Sequence, residues 1–594
     1  MKPDDNSRGA HRGRVHTRRR NRVKVPLADA LVRTLHVAGV KCVFGVPGGY
    51  TSALLDALSR SGLRTIRSMH EGAAAFVAAG HAQASGQLAV TFAQSGPGTT
   101  NLLTGVAAAF MDGVPMLVLA SQAPADEYAQ DGHQEARGVG RMIDQLEVFR
   151  TASGQLYRPP TAKAALRCVR QAVSLALADR TPTVIDLAVD VAGLPVEITD
   201  LTANQFVTRA QAVDLDAVAR VATMIREARS PVLLLGDKMA HRDCTSELAK
   251  LSEEHDVAVV CVDFAKGALP EDHPMFAGVL GQSGHESAAE LVRESDLVIA
   301  LGSRMSVQTT VGYEQGLFRR LVQIDERASE IARNYHVELG AVSHLPGFLR
   351  QLLLALGARG AERGLRARVA ELRSKHATYA EEITRRKELN TPTALRVVRE
   401  RLPRETLITG DCGLNLQYLK RHFPVYAPDG FFNLYGLAAM GSALPVGVGV
   451  KLARPTTPVV AIIGDGGIMV YPGELAVVAE LGLPLVTIVM NNRGYVQVGD
   501  RLDRYFGTRN ACTLPLVDFV KMAESMGVAA RRAADPSALA EAVDWALAQT
   551  TPTLIDVTIE GDNLLDMTLP QTRALQDRLF KREPLRPPWP FPVD

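Results

Sequence analysis

Apolar residues along this chain gather in short runs, with stretches of helical spacing between them. Residues 40–46, 88–92, 116–120 and 183–187 are such runs. Each stands close to Gly or Pro, and each is read as a strand. Stretches 27–38 and 161–178 place apolar residues three and four apart, the pattern of an amphipathic helix. Strands that are apolar throughout, alternating with helices, predict parallel sheets covered on both faces.

The pattern recurs twice more. A second block has strand-like runs at 232–235, 257–262, 297–301 and 321–324, and a third has them at 406–409, 459–463, 485–490 and 553–558. The expected fold class is therefore α/β, with three doubly wound parallel-sheet domains at residues 25–191, 213–355 and 391–565. Stretches 192–212 and 356–390, the second charged and helical, read as linkers. Residues 566–594 read as a C-terminal tail, with a Pro-rich, extended end at 583–594.

Composition agrees with this picture. The 594 residues are 46% hydrophobic and 22% charged, enough for three or four domains at roughly 100–200 residues each. No apolar run approaches the ~20 residues that cross a bilayer. The net charge of +2 conceals nine Lys or Arg within residues 1–24, against Asp4 and Asp5. That segment lacks apolar periodicity and a hydrophobic signal core, so it reads as a disordered basic tail, with nucleic-acid binding the lesser reading. The six cysteines are scattered without a CxxC pair, which points to a reducing cytoplasm.

The strongest chemical signal lies in the third block. One apolar run ends in Gly464-Asp465-Gly466-Gly467, and another ends in Asn491-Asn492-Arg493-Gly494-Tyr495. Glycines at a strand end let backbone N–H groups approach a phosphate. Asp465 and Asn492 offer hard oxygens suited to Mg²⁺ beside a diphosphate. Either motif alone is more simply a turn or a helix cap. The pair, each member following a buried strand, resembles the signature of thiamine-diphosphate (ThDP) enzymes. In that family the matching positions Asp465, Asn492 and the Gly494 carbonyl hold the metal.

The first block carries matching landmarks: Phe44-Gly45-Val46-Pro47-Gly48-Gly49, Met69-His70-Glu71-Gly72, Ser95-Gly96-Pro97-Gly98 and Asp112-Gly113-Val114-Pro115. The resemblance spans residues 25–560 and is closest to acetolactate synthases, with Ile324-Asp325 and Glu330-Ile331 fitting that branch. It implies a pyrimidine domain, a central domain and a diphosphate domain, in that order. It implies that Glu71 bonds the aminopyrimidine ring and promotes proton loss from the thiazolium C2. It also implies that Gly49, Gly413, Asn415, Gly464, Gly466 and Gly467 line the cofactor, and that Met440 bends it. Members pair the Glu71-type domain of one subunit with the Asp465-type domain of another. A homodimer is then the minimum unit, with a tetramer as the larger form.

The departures bear on substrate. The synthase Phe-Gln-Glu loop here reads His133-Gln134-Glu135, leaving Gln134 as the active-site amide and His133 as either a loop residue or a new polar group. A second arginine of the central block is replaced by Gln308, and the position of a pocket tryptophan falls on Arg501. Decarboxylases place a Glu where this chain has Val498, next to Gln497, so quenching by protonation is disfavoured. FAD stays open: Gly302-Ser303-Arg304 resembles part of its site in the biosynthetic synthases, and residues 280–284 resemble another part imperfectly. The reading is a carboligase that takes a 2-oxo acid donor, pyruvate foremost, and a carbonyl acceptor. A decarboxylase releasing an aldehyde is the alternative. The non-enzymatic rival is a regulatory or nucleic-acid-binding protein on a ThDP scaffold.

Overall fold

The computed structural model describes residues 23–198, 206, 212–240, 243–384, 389–563 and 577. Three six-stranded parallel sheets carry the chain. The first orders its strands Arg64–Arg67, Cys42–Gly45, Ala89–Ala93, Met116–Gln122, Pro182–Ala188, Gln155–Tyr157. The third runs Phe431–Phe432, Leu407–Gly410, Val459–Gly464, Leu485–Asn491, Thr553–Thr558, Ala529–Ala533. Numbered by first appearance, both follow the order 2-1-3-4-6-5. The central sheet runs Phe276–Val279, Ala258–Cys261, Pro231–Leu235, Leu297–Leu301, Leu321–Asp325, Leu339–Val342. Its order, 3-2-1-4-5-6, is that of dinucleotide-binding sheets.

All twelve strands expected from apolar runs occupy the inner four positions of these sheets, where both faces are covered. The outermost strands carried no such signal. Arg64–Arg67, for example, buries only Ile66.

Two expected boundaries are corrected. Strand Val23–Pro26 begins inside the expected tail, and it pairs antiparallel with Pro195–Ile198 from the expected linker. The reason is apolar: Val196 and Ile198 alternate inward and join Leu27, Ala30 and Leu166 in a small core. The rest of the tail, and of that linker after Ile198, lies outside the described residues, Phe206 and Ala212 excepted. The second linker is also partly structural. Within helix Leu365–Thr384, Leu365, Val369 and Leu372 pack into the central core, while Arg368 pairs with Glu290 and Glu294. The Pro-rich end at 583–594 lies outside the described residues.

Helix Glu71–Ser85 joins the first and third domains. Its small residues let helix Ala443–Ala453 approach closely: a Cβ on Gly80 would stand 2.5 Å from the Val446 carbonyl, and one on Gly449 would collide with the Val77 carbonyl. Among the described residues no helix is long and apolar enough to cross a membrane. All six cysteines are free.

Candidate functional site

Strands Val459–Gly464 and Leu485–Asn491 are parallel neighbours, with Gly464 opposite Met490. Both expected ligand motifs therefore leave the sheet at the same edge, side by side. Asp465 is buried; its Oδ1 accepts from the Gly466 amide at 2.8 Å and its Oδ2 from the Gly494 amide at 3.0 Å. Burial pushes its carboxyl up to about 6. Asn492 donates to Asp562 at 3.4 Å, while its own Oδ1 is buried without a partner. An amide oxygen left without a donor beside a carboxylate is what a cation ligand looks like in the absence of its ion. The residues present fit Mg²⁺.

Helix Leu414–His422 completes the cradle from the neighbouring strand. Gly413 caps its start at φ +83°, a conformation that favours glycine. Asn415 has an unpartnered, buried Oδ1, and its Nδ2 stands 2.6 Å from where a Cβ on Gly464 would be. A Cβ on Gly466 would meet the Tyr495 ring at 2.5 Å, and one on Gly467 would collide with the Asp411 carboxylate. Asp411, raised to about 6 by burial, accepts from the Gly441 and Ser442 amides at 3.1 and 3.0 Å, fixing the turn after Met440.

These groups surround one cavity of about 340 Å³, lined by Gly413, Asn415, Met440, Gly464 to Gly467, Asn492, Gly494, Gln497 and Val498. The expected diphosphate and metal residues thus come together, with Gln497 and Val498 at the mouth. Glycine N–H groups at a helix start, bare Cα atoms and two orphaned amide oxygens suit a diphosphate and its cation.

The other half-site lies in the first domain. His70 caps helix Glu71–Ser85 by accepting the Gly72 amide at 2.9 Å, which leaves Glu71 as the first helical residue. Its Oε2 accepts from Asn101 Nδ2 at 3.0 Å, and its Oε1 stands over Gly98. Gln94 Nε2 donates to Gln134 Oε1 at 2.9 Å, and Gln94 Oε1 accepts the Tyr50 amide at 2.8 Å. The loops 48–50 and 133–135 are thereby tied together. Gln134 sits at φ +56°, whereas the His133 side chain is exposed and its carbonyl accepts from the Tyr50 hydroxyl at 2.9 Å. Nothing stands within 4 Å of a Cβ on Gly49, so packing gives no reason for glycine there. Glu71 does not line the cavity around Asp465 within one chain.

The two substituted acceptor positions part ways. Gln308 accepts from the Tyr435 hydroxyl at 2.8 Å, and Tyr435 lines the cavity. Neither Gln308 nor Arg501 is itself a lining residue, but Gln308 is bonded to one, whereas Arg501 lies on helix Val496–Phe506. Sequence reasoning overlooked Gln94, Asn101, Asp411 and Tyr435. Asn101 stands three residues after the Ser95–Gly98 landmark and Asp411 two before Gly413, but Tyr435 carried no signal.

A second crevice, of about 580 Å³, opens between the first and central domains at the point where the central strand order reverses. Its cations are already engaged: Lys238 with Asp325 at 2.5 Å, and Arg304 with Asp237 at 2.9 Å.

Comparison with known proteins accords with this geometry. Residues 26–147 match the family model for the thiamine pyrophosphate enzyme N-terminal TPP binding domain. Residues 218–352 match its central domain, and 411–557 its C-terminal TPP binding domain. A probable acetolactate synthase large subunit of Methanocaldococcus jannaschii is 31% identical over 576 residues, which cover 92% of this chain and 94% of that protein. The acetolactate synthase isozyme 2 large subunit of Escherichia coli is 28% identical over 541 residues, covering 90% and 95%. A sulfoacetaldehyde acetyltransferase of Rhodobacter capsulatus is 28% identical over 499 residues, covering 79% and 82%.

Proposed function

Since this chain belongs to the thiamine pyrophosphate enzyme family, as an acetolactate synthase-like member, we propose that it is a Mg²⁺-dependent carboligase that decarboxylates a 2-oxo acid, foremost pyruvate, and transfers the acyl unit to an acceptor carbonyl. The observation that carries this is the cavity in which Asp465, the orphaned Asn492 oxygen, Gly494 and the Gly413–Asn415 helix start converge. When bound, ThDP supplies the carbon that adds to the 2-oxo group and takes up the electron pair left as CO₂ departs.

The chain's own residues do the rest. Asp465, Asn492 and the Gly494 carbonyl hold the cation, and Gly464, Gly466, Gly467, Gly413 and Asn415 receive the diphosphate. Met440 would pack against the bound cofactor, and Glu71 would move the activating proton. Gln134, tied to Gln94, orients the donor.

A homodimer is part of the proposal. Glu71 does not line the Asp465 cavity of its own chain. Met440 and Val498 are 42% and 51% exposed at its mouth, and Met469 and Val470 are exposed beyond them, an apolar surface suited to a second copy. FAD stays open, since the biosynthetic synthases bind it without redox use and none of the proposed steps moves a hydride or an electron. A decarboxylase is disfavoured because Val498 at the mouth cannot deliver a proton.

For the acceptor, the replacement of a carboxylate-holding arginine by Gln308 supports an aldehyde or a neutral ketone over a second 2-oxo acid. The test is incubation with pyruvate, ThDP, Mg²⁺ and ¹³C-labelled acetaldehyde, with products read by mass spectrometry. Labelled acetoin supports the reading; pyruvate left intact removes it.

A further inference from the structure

Tyr435 stands in the loop that leads to Met440 and lines the cofactor cavity. Its ring is fixed from two directions. The Phe264 ring stands 4.7 Å away, centroid to centroid, and Lys420 Nζ lies 4.3 Å over its face. Lys420 is itself buried and paired with buried Asp263 at 2.5 Å. Swinging the ring aside strips a buried cation of one of its contacts, so the tyrosine is held where it is.

The consequence falls on the hydroxyl. It donates to Gln308 Oε1 at 2.8 Å, joining the third domain to the central one beside the cavity that Tyr435 lines. The Gln308 backbone is pinned as well, its carbonyl accepting the Gln282 amide at 2.7 Å. With Oε1 engaged, what the exposed Gln308 side chain still offers is the Nε2 donor pair, which carries no charge. The nearest cation of that segment, Arg304, is turned to Asp237 at 2.9 Å and Asp112 at 3.9 Å.

Resting on the carboligase reading, we propose that Tyr435 is a positioning residue that presents the Gln308 amide as a neutral hydrogen-bond donor to the acceptor, and that the pair selects uncharged carbonyl compounds. A single neutral donor suffices for an aldehyde oxygen. A carboxylate forgoes the two charge-assisted bonds that an arginine supplies.

The experiment compares acceptors at a fixed pyruvate concentration in the holoenzyme, with ¹³C-acetaldehyde to separate true acetoin from decomposed acetolactate. Tyr435→Phe keeps the ring on Lys420 and Phe264 and deletes the hydroxyl. It raises the KM for acetaldehyde about fivefold, with a distinctly smaller rise in the KM for pyruvate as donor. Gln308→Arg raises the acetolactate-to-acetoin ratio by roughly ten- to a hundredfold. Equal effects of Tyr435→Phe on both KM values, or an unchanged product ratio in Gln308→Arg, overturn the inference while leaving the carboligase reading in place. A wild-type enzyme that consumes no pyruvate removes both.

Discussion

The Asp465 carboxylate accepts the Gly494 backbone amide at 3.0 Å, tying the end of one strand to the turn after its neighbour. Asp465, Asn492 and Gly494 line one cavity, and they are the proposed ligand set. Asp465→Ala removes the charged member and the strut together. ThDP affinity in the presence of Mg²⁺ falls by roughly tenfold or more, because the diphosphate is held partly through the ion. Fluorescence titration with ThDP measures it, and an unchanged affinity takes Asp465 out of the ligand set.

Glu71 is held by Asn101 at 3.0 Å at the start of a buried helix. Glu71→Gln preserves an oxygen for that bond and so preserves the fold. It abolishes the proton-accepting group, and hydrogen–deuterium exchange at C2 of bound ThDP slows by about 10²–10⁴-fold. Exchange at the wild-type rate excludes Glu71 as activator.

The contact between helices Glu71–Ser85 and Ala443–Ala453 admits no added atom, since a Cβ on Gly449 collides with a backbone carbonyl that cannot rotate away. Gly449→Ala therefore destabilises the protein by about 1–3 kcal/mol, the usual cost of overpacking. A thermal melt reads this directly; a melting temperature at or above that of the wild type contradicts the packing.

How much of this was legible in the chain follows from where each residue sits. The inner strands, such as Leu297–Leu301 and Val459–Gly464, are apolar throughout because both faces are buried, and they stood out at once. Edge strands such as Arg64–Arg67 and Ala529–Ala533, the latter with two exposed arginines, face water in part and carry no apolar run, while Phe276–Val279 is buried but short. The cavity residues were legible because glycines and a carboxylate cluster in sequence at two strand ends. Tyr435 was not, because its meaning depends on Lys420, Phe264 and Gln308, which are brought together only by the packing of two domains.

Glu474 lies at the seam between the first and third domains, buried, with Oε1 accepting the Met69 amide at 2.8 Å and the Ser68 hydroxyl and His70 amide beside the carboxyl. Burial raises its carboxyl to about 7. A carboxyl raised by folding favours the native state while it is protonated. That contribution is complete below about 4.5 and is lost as pH rises through about 7. Glu474→Gln has no proton to lose. Its stability relative to wild type should grow between pH 5 and 8, by up to about 3 kcal/mol. Melting curves of the two proteins that stay parallel across this range exclude the effect.

Arg501 decides whether a displaced positive charge serves the acceptor. The resemblance to synthases sets it where they carry a pocket tryptophan, and an inward turn would restore an anchor for a carboxylate. The structure puts it on helix Val496–Phe506, one turn before Tyr505, and outside the lining of the cofactor cavity. Its charge acts on the Tyr505 hydroxyl, which donates to Asp577, whereas Gln308 is bonded to the cavity-lining Tyr435. An arginine spent in this way contributes packing and local electrostatics, not recognition. Arg501→Ala is therefore expected to leave the acetolactate-to-acetoin ratio within about twofold of wild type, far short of the roughly ten- to a hundredfold change that follows loss of a charge-assisted bond to substrate. The ratio is measured with pyruvate and labelled acetaldehyde supplied together. Efficient acetolactate formation by the wild type that disappears in Arg501→Ala would make this arginine the carboxylate anchor. It would also overturn the assignment of the acceptor wall to a neutral amide.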